Sequence, residues 1–111
     1  MKLPTEIFGN VAVVHTPSEF GEDQLPSFRE CVGKLGLSNI VVDLDGTELI
    51  DSEALTELLD TDERLQVAGG RLKIATANAM NRRIFEITRL DQYLEVFDGV
   101  VEAVRSFRRG L

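Results

Sequence analysis

The chain holds one histidine, His15, and one cysteine, Cys31. They are its sole candidates for a thiol nucleophile with an imidazole base, and because they fall on different predicted elements only a coincidence of folding would pair them. A lone cysteine on a helix is ordinarily packing. It has no partner for an internal disulfide, and one histidine with one cysteine offers no cluster for structural zinc, so neither a metal nor a cofactor is expected. Gly69-Gly70 lacks the strand-to-helix spacing of a phosphate loop and reads as a helix stop before a strand.

Carboxylates are the more informative residues. On a helix predicted to begin at Ser52, the residues Glu53, Glu57 and Asp60 share one face by their i, i+4, i+7 spacing. This acidic stripe would complement a basic partner surface; the plainer reading is a solvated face on which Asp60 and Arg64 form an ordinary i, i+4 pair. Asp62 falls where the apolar stripe of the same helix calls for a hydrophobic residue. An unpaired buried carboxylate is costly, so Asp62 is expected at the edge of the stripe, the other option being a cationic or self-association contact there. Arg82, Arg83, Arg105, Arg108 and Arg109 make the late helices basic and read as solvated residues and helix C-terminal charges.

The elements that must position these residues fit one domain spanning 1–111. Of its residues, 43% are hydrophobic and 28% charged, the ordinary globular range. A formal net charge of -7 argues against nucleic acid and against an anionic membrane surface. The start, Met1-Lys2-Leu3-Pro4, leads into no apolar run long enough for a signal peptide, and no stretch of about 18 apolar residues occurs. A soluble protein of a reducing cytoplasm is expected.

Thr5 to Phe8 and Val11 to His15 are short apolar runs separated by Gly9-Asn10, which predicts a hairpin. Thr16 to Gly21 reads as a loop. Leu25, Phe28, Val32 and Leu35 recur at helical spacing, with Pro26 in the first turn and Gly36 at the end. Ile40 to Leu44 is a continuous apolar run suited to a strand covered on both faces. A helix from Ser52 to Ala68 follows, capped by Asp51 or Ser52, with Leu55, Leu58, Leu59 and Leu65 in one stripe. Leu72 to Thr76 predicts a strand, Asn78 caps a helix carrying Met80, Ile84 and Ile87, Tyr93 to Phe97 predicts a last strand and Val100 to Phe107 a last helix. Helix and strand alternate after the hairpin, so the class is α/β: a mostly parallel mixed sheet with an N-terminal hairpin and helices packed on it.

From Asn39 to Phe97 the chain resembles the STAS domain family of anti-sigma factor antagonists. The resemblance is carried by Ile40-Val41-Val42-Asp43-Leu44, Ile50-Asp51-Ser52-Glu53-Ala54-Leu55, Gly69-Gly70-Arg71-Leu72, Arg83-Ile84-Phe85, Leu90 and Val96-Phe97. It implies a protein-binding regulator rather than an enzyme. At the helix start such antagonists carry Asp-Ser-Ser-Gly or Asp-Ser-Thr-Gly, whose second hydroxyl is phosphorylated by a partner kinase that is itself the anti-sigma factor. A phosphate adds about -1.5 to -2 charges in the middle of the contact.

Here Asp51 and Ser52 match, but Glu53 stands at the phosphoacceptor position and Ala54 replaces the glycine. Glu53 either supplies a fixed negative charge, favoured near a helix N-terminus by about 0.3 to 1 kcal/mol, or is simply a good first-turn residue. The loop Ser18-Glu19-Phe20-Gly21 keeps the glutamate of the family's Gly-Glu-Leu-Asp pattern, which borders the partner surface. The resemblance thus implies a partner-binding surface of Ser18, Glu19, Asp51, Ser52, Glu53, Ala54, Glu57 and Asp60. The partner it implies is an anti-sigma factor and serine kinase, or a subunit of a signalling scaffold or lipid-transport assembly; homodimers are also compatible with it.

A second resemblance lies over the same region. Val42-Asp43-Leu44-Asp45-Gly46-Thr47 looks like the Asp-x-Asp-Gly-Thr signature of haloacid-dehalogenase-type phosphatases, which implies a nucleophilic Asp43, an acid-base Asp45, magnesium, and Thr76 as a phosphate-binding hydroxyl. Against it, a hairpin and a helix precede the motif, Glu48 interrupts the usual apolar continuation, and Lys73 is the only lysine after Lys34. The stretch after Thr47 is also too short for that family's full parallel core.

Overall fold

Gly9, at φ 63°, closes a tight turn in the left-handed region that glycine enters without steric cost. It joins β1 (Thr5–Phe8) to β2 (Val11–His15), the hairpin predicted from the sequence. The computed structural model describes residues 2–108; Met1 and residues 109–111, Arg109 among them, lie outside the described residues.

After β2 come β3 (Glu19–Phe20), α1 (Leu25–Leu35), β4 (Asn39–Asp43), β5 (Leu49–Ile50), α2 (Ser52–Val67), β6 (Arg71–Ala75), α3 (Ala79–Ile87), β7 (Val96–Phe97) and α4 (Val100–Ser106). Five strands form one sheet in the order β1-β2-β4-β6-β7, with β1 antiparallel to β2 and the other pairings parallel. The hairpin therefore adds an antiparallel edge to a sheet built from crossovers, as the alternation of elements predicts. β3 and β5 pair in parallel as a separate two-stranded ribbon. That ribbon was not predicted: Thr16 to Gly21 reads as loop because two residues are too few to show a period.

Strand alternation sends Ile40 and Val42 to one face of the sheet and Val41 to the other. The first face joins Ala12, Val14, Leu72 and Ile74 with Phe28 of α1, Leu58 of α2 and Phe85 of α3 in the main core. The second face, with Val11, Val13 and Ala75, is covered by Ala103 and its neighbours on α4. Phe20 and Phe28 pack with ring centroids 5.3 Å apart, and burying each such side chain contributes about 1.5 to 3 kcal/mol. Pro26 sits in the first turn of α1 and Gly36 caps its end, as expected.

Two expectations fail. The apolar residues assigned to the face of α3 are largely outside: Met80 is 77% and Ile87 69% exposed, with Ile84 half-buried, and the helix instead buries Phe85 and Asn81. Asn81 is drawn inward because its Nδ2 donates to the carbonyls of Leu44, at 3.1 Å, and Thr47, at 3.0 Å. The last strand is Val96–Phe97 alone, since a 3-10 turn at Leu90–Gln92 leads into Tyr93 and Leu94, where the Leu94 N–H still donates to Leu90. On the α4 side Lys73 of β6 is nearly covered: its Nζ donates to Ser106 Oγ at 2.8 Å, lies 3.4 Å from Glu95 and stands 4.3 Å from the centroid of the Phe107 ring.

Candidate functional site at the start of the second long helix

Parallel strands all end on one side of the sheet, so the segments following β2, β4 and β6 gather there. In the run from Asp43 to Thr47, Leu44 and Thr47 are buried, Asp45 and Gly46 are exposed, and the polar side chains bind within the fold. Asp43 Oδ1 accepts the Asp45 N–H at 3.0 Å, and its Oδ2 lies 2.7 Å from His15 Nδ1. Asp45 Oδ1 accepts the Ala77 N–H at 2.7 Å. The Thr47 hydroxyl donates to Pro17 at 2.7 Å and meets the Thr16 hydroxyl, which also lies 3.1 Å from the Asp43 carbonyl. Thr76 is buried and accepts the Asn78 N–H at 3.1 Å. Lys73 points to the opposite side of β6, against α4. Asp43 thus holds the His15 ring and the Asp45 N–H, Asp45 holds the Ala77 N–H, and the one downstream lysine lies on the other side of β6, an arrangement unlike the one the phosphatase resemblance implies. Among the described residues no three His, Cys, Asp or Glu side chains are placed to hold a metal.

Eight residues further on, the start of α2 faces outward. Asp51, in extended backbone, is the N-cap: its Oδ1 accepts the Ala54 N–H at 2.9 Å. Asp51, and not Ser52, therefore caps the helix. Its second oxygen accepts the Glu22 N–H at 3.0 Å, which fastens the turn after β3 to the start of α2. A side chain at Gly21 would collide with this carboxylate. Where the family's loop pattern has aspartate, glycine leaves room for this close approach, and a side chain there would displace the Asp51 carboxylate. Ser18 is exposed, and its carbonyl accepts the N–H groups of Glu48, at 2.8 Å, and Leu49, at 3.0 Å, holding β3 beside β5. Glu19 is exposed on β3, opposite Leu49.

Ser52 and Glu53 are exposed in the first turn, the Ser52 hydroxyl donating to Glu53 at 3.2 Å. They border a shallow groove of about 260 Å³ between α1 and α2, lined also by Leu25, Arg29 and Thr56. A second hollow, of about 460 Å³, lies between Glu19, Glu22, Asp23 and Leu49. Of the eight predicted surface residues, Ser18, Glu19, Asp51, Ser52, Glu53 and Asp60 are exposed on this side. Ala54 and Glu57 are not. Ala54 is fully buried against the core, because the third position of the helix already points to the sheet.

Glu57 is 4% exposed and breaks the expected acidic stripe at its middle. It accepts Arg29 Nε at 2.7 Å, Arg64 Nη2 at 2.9 Å and the Thr61 hydroxyl at 2.9 Å. Burial would raise its pKa, but the hydrogen bonds from Arg64, Arg29 and Thr61 prevail and hold it below the ordinary glutamate value. Arg64 is engaged here and at Thr61, so the expected pair with Asp60 does not form. Nor is Asp62 at an edge: it is buried and accepts Arg71 Nε at 3.0 Å, the Leu72 N–H at 2.9 Å and Gln66 at 2.8 Å. The cationic contact considered for that position comes from this chain's own Arg71. Arg29 and Glu22 enter the site without any local sequence signal, since their partners lie 28 and 29 residues away.

The chain matches the STAS domain family over residues 3–103. A candidate anti-sigma factor antagonist of Thermotoga maritima is 24% identical over 96% of this chain and 98% of its own length. The crystal structure of a candidate anti-sigma factor antagonist from the same organism superposes with a TM-score of 0.86 at 23% identity, covering 96% of this chain and 94% of the other. The anti-sigma factor antagonist SpoIIAA in its unphosphorylated form gives a TM-score of 0.71 at 15% identity, covering 98% and 99%. Among the described residues no helix is long and apolar enough to cross a membrane. With its five-stranded mixed sheet, its α2 start and a family match over nearly its whole length, the chain belongs to the STAS domain family and is similar to anti-sigma factor antagonists.

Proposed function

We propose that this domain regulates a protein partner through the surface made by the first turn of α2 and the β3–α1 turn, with Glu53 as a fixed acid where related antagonists carry a phosphorylated hydroxyl. The observation that carries the reading is the exposure of Ser52 and Glu53 beside the groove between α1 and α2, on a helix start whose cap and packing are supplied by other residues. A carboxylate in a first helical turn faces the positive end of the helix dipole, so Glu53 keeps a negative charge there without any modifying enzyme. The partner class is an anti-sigma factor with kinase activity, and the contact is a standing one instead of a phosphate-gated one.

The test is capture from a lysate of the native host with the wild type and Glu53→Ser as parallel baits, followed by affinity measurement and phosphate incorporation with the protein recovered. An ATP-binding anti-sigma factor whose affinity differs about tenfold between the baits, equivalent to about 1.4 kcal/mol, supports the reading. Phosphate entering Glu53→Ser alone would assign position 53 as the vacated acceptor. If both baits retain the same scaffold or transport proteins with equal affinity and neither takes up phosphate, the domain is an assembly subunit and Glu53 is incidental.

A further inference from the structure

His15 lies where β1, β2 and β4 meet, and both of its ring nitrogens are engaged. Nδ1 is 2.7 Å from Asp43 Oδ2 on β4, and Nε2 is 2.7 Å from Glu6 Oε1 on β1. An ionised carboxylate only accepts hydrogen bonds, and a neutral imidazole has a single N–H to donate. Both contacts are therefore hydrogen bonds at once only while the ring carries two protons. The surroundings favour that state: burial alone would lower the pKa of the ring, but the hydrogen bonds and charges of Glu6 and Asp43 prevail and raise it above the ordinary histidine value. Glu6 from β1 and Asp43 from β4 are the charged groups that face the ring. The next carboxylate, Asp45, is turned to the Ala77 N–H, while its own N–H holds the other oxygen of Asp43.

The main chain makes this point a junction. The His15 N–H donates to Pro4 at 2.9 Å, the last rung between the first two strands, and the Thr16 N–H donates to the Asp43 carbonyl at 3.1 Å. β1 is an edge strand with all four residues exposed. Its side chains pack little, so beyond the backbone ladder with β2 the Glu6 contact is a side-chain tie from this strand to the neighbouring one. The two carboxylates also differ in shielding: the Asp43 side chain is 14% exposed and that of Glu6 54%.

We propose that His15 is a proton-operated clasp that, as an imidazolium, fastens the edge strand through Glu6 to the end of β4 through Asp43, and that on losing a proton keeps Asp43 and releases Glu6. A neutral ring retains the shielded Nδ1–H bond and turns the Nε2 lone pair toward the Glu6 carboxylate, which repels it. Because the folded chain holds this proton more tightly than the unfolded chain, the clasp contributes fully below the unfolded histidine value and is lost as pH rises through the folded one. The device acts on the domain alone and does not depend on any partner.

His15 is the one histidine of the chain, so its ring resonances need no assignment by mutation. The test follows the ring nitrogens by two-dimensional NMR as pH is raised, in the intact protein and in the same chain unfolded in urea. The folded midpoint is expected above the unfolded one, with Glu6→Gln and Asp43→Asn each moving it down. Hydrogen-exchange protection of the His15 amide should fall as the wild type passes its midpoint and should already be low in Glu6→Gln. A folded midpoint at or below the unfolded one, or one that Glu6→Gln leaves unmoved, overturns the clasp. Should Asp43→Asn fail to fold, Glu6→Gln, at an exposed side chain, decides the matter alone.

Discussion

Asp43-Leu44-Asp45-Gly46-Thr47 and Asp51-Ser52-Glu53 are neighbours in sequence, both follow a strand, and both combine carboxylates with hydroxyls. The fold treats them oppositely. In the first run both Asp43 oxygens, one oxygen of Asp45 and the threonine hydroxyl are committed to backbone groups, to His15 or to Thr16. In the second, Asp51 is committed to the N–H groups of Ala54 and Glu22, while among the described residues the side chains of Ser52 and Glu53 bond only to each other and face solvent. Residue types that could perform chemistry therefore do not mark a site by themselves. What marks it is hydrogen-bonding and charge capacity left over once the fold has been built.

Substitutions can break this contrast in order of severity. Asn81→Ala, in the inward network, removes the donor shared by the Leu44 and Thr47 carbonyls inside the protein and should lower stability by about 2 kcal/mol in urea unfolding, with no route to partner binding other than through folding. Glu57→Gln sharpens the contrast within α2 itself. The folded pKa of Glu57 is depressed, so its stabilisation is present above the ordinary value of 4.5 and is lost as pH falls through the folded one. The variant should lose about 1 kcal/mol at neutral pH and show a flatter decline of thermal stability on acidification. Asp51→Ala should cost about 1 kcal/mol as a lost cap and should also loosen the β3–α1 turn, which a fall in the exchange protection of the Glu22 amide would report. Smallest of all, Glu53→Ser should change stability by less than about 0.5 kcal/mol while changing partner affinity, the opposite signature to Asn81→Ala. Equal effects of the two on folding would erase the distinction between the regions.

The sequence could be read wherever the deciding interaction is local. The Gly9-Asn10 turn, the Pro26 and Gly36 ends of α1 and the continuous run in β4 all declare themselves within a few residues, and the structure has them where they were expected. The family pattern pointed to the segment around Asp51 and Ser52, where α2 begins. Legibility ended where a partner comes from far along the chain. Asp62 is buried because Arg71 and the Leu72 N–H reach it, and Glu57 because Arg29 does; periodicity set Asp62 on the apolar stripe without giving its partner, and it could not separate Glu57 from Glu53 and Asp60. The same holds for α3: a nine-residue helix has barely enough turns to define a face, and the demand of two distant carbonyls for Asn81 fixes its rotation against the preference of Met80 and Ile87.

The covering of Lys73 by α4 bears on where the molecule is expected to come apart first. A helix of seven residues with Ala103 as its one fully buried residue is held on a strand whose centre carries a cation, so lifting α4 returns an ammonium group to water at the same moment that it exposes apolar surface. The gain offsets part of the loss on this face, whereas the face packed by α1, α2 and α3 buries the larger apolar cluster, with Phe20, Phe28, Leu58 and Phe85 in it. The two sides of one sheet are thus expected to open at different free energies, with the amides of α4 less protected from hydrogen exchange than those of the other three helices.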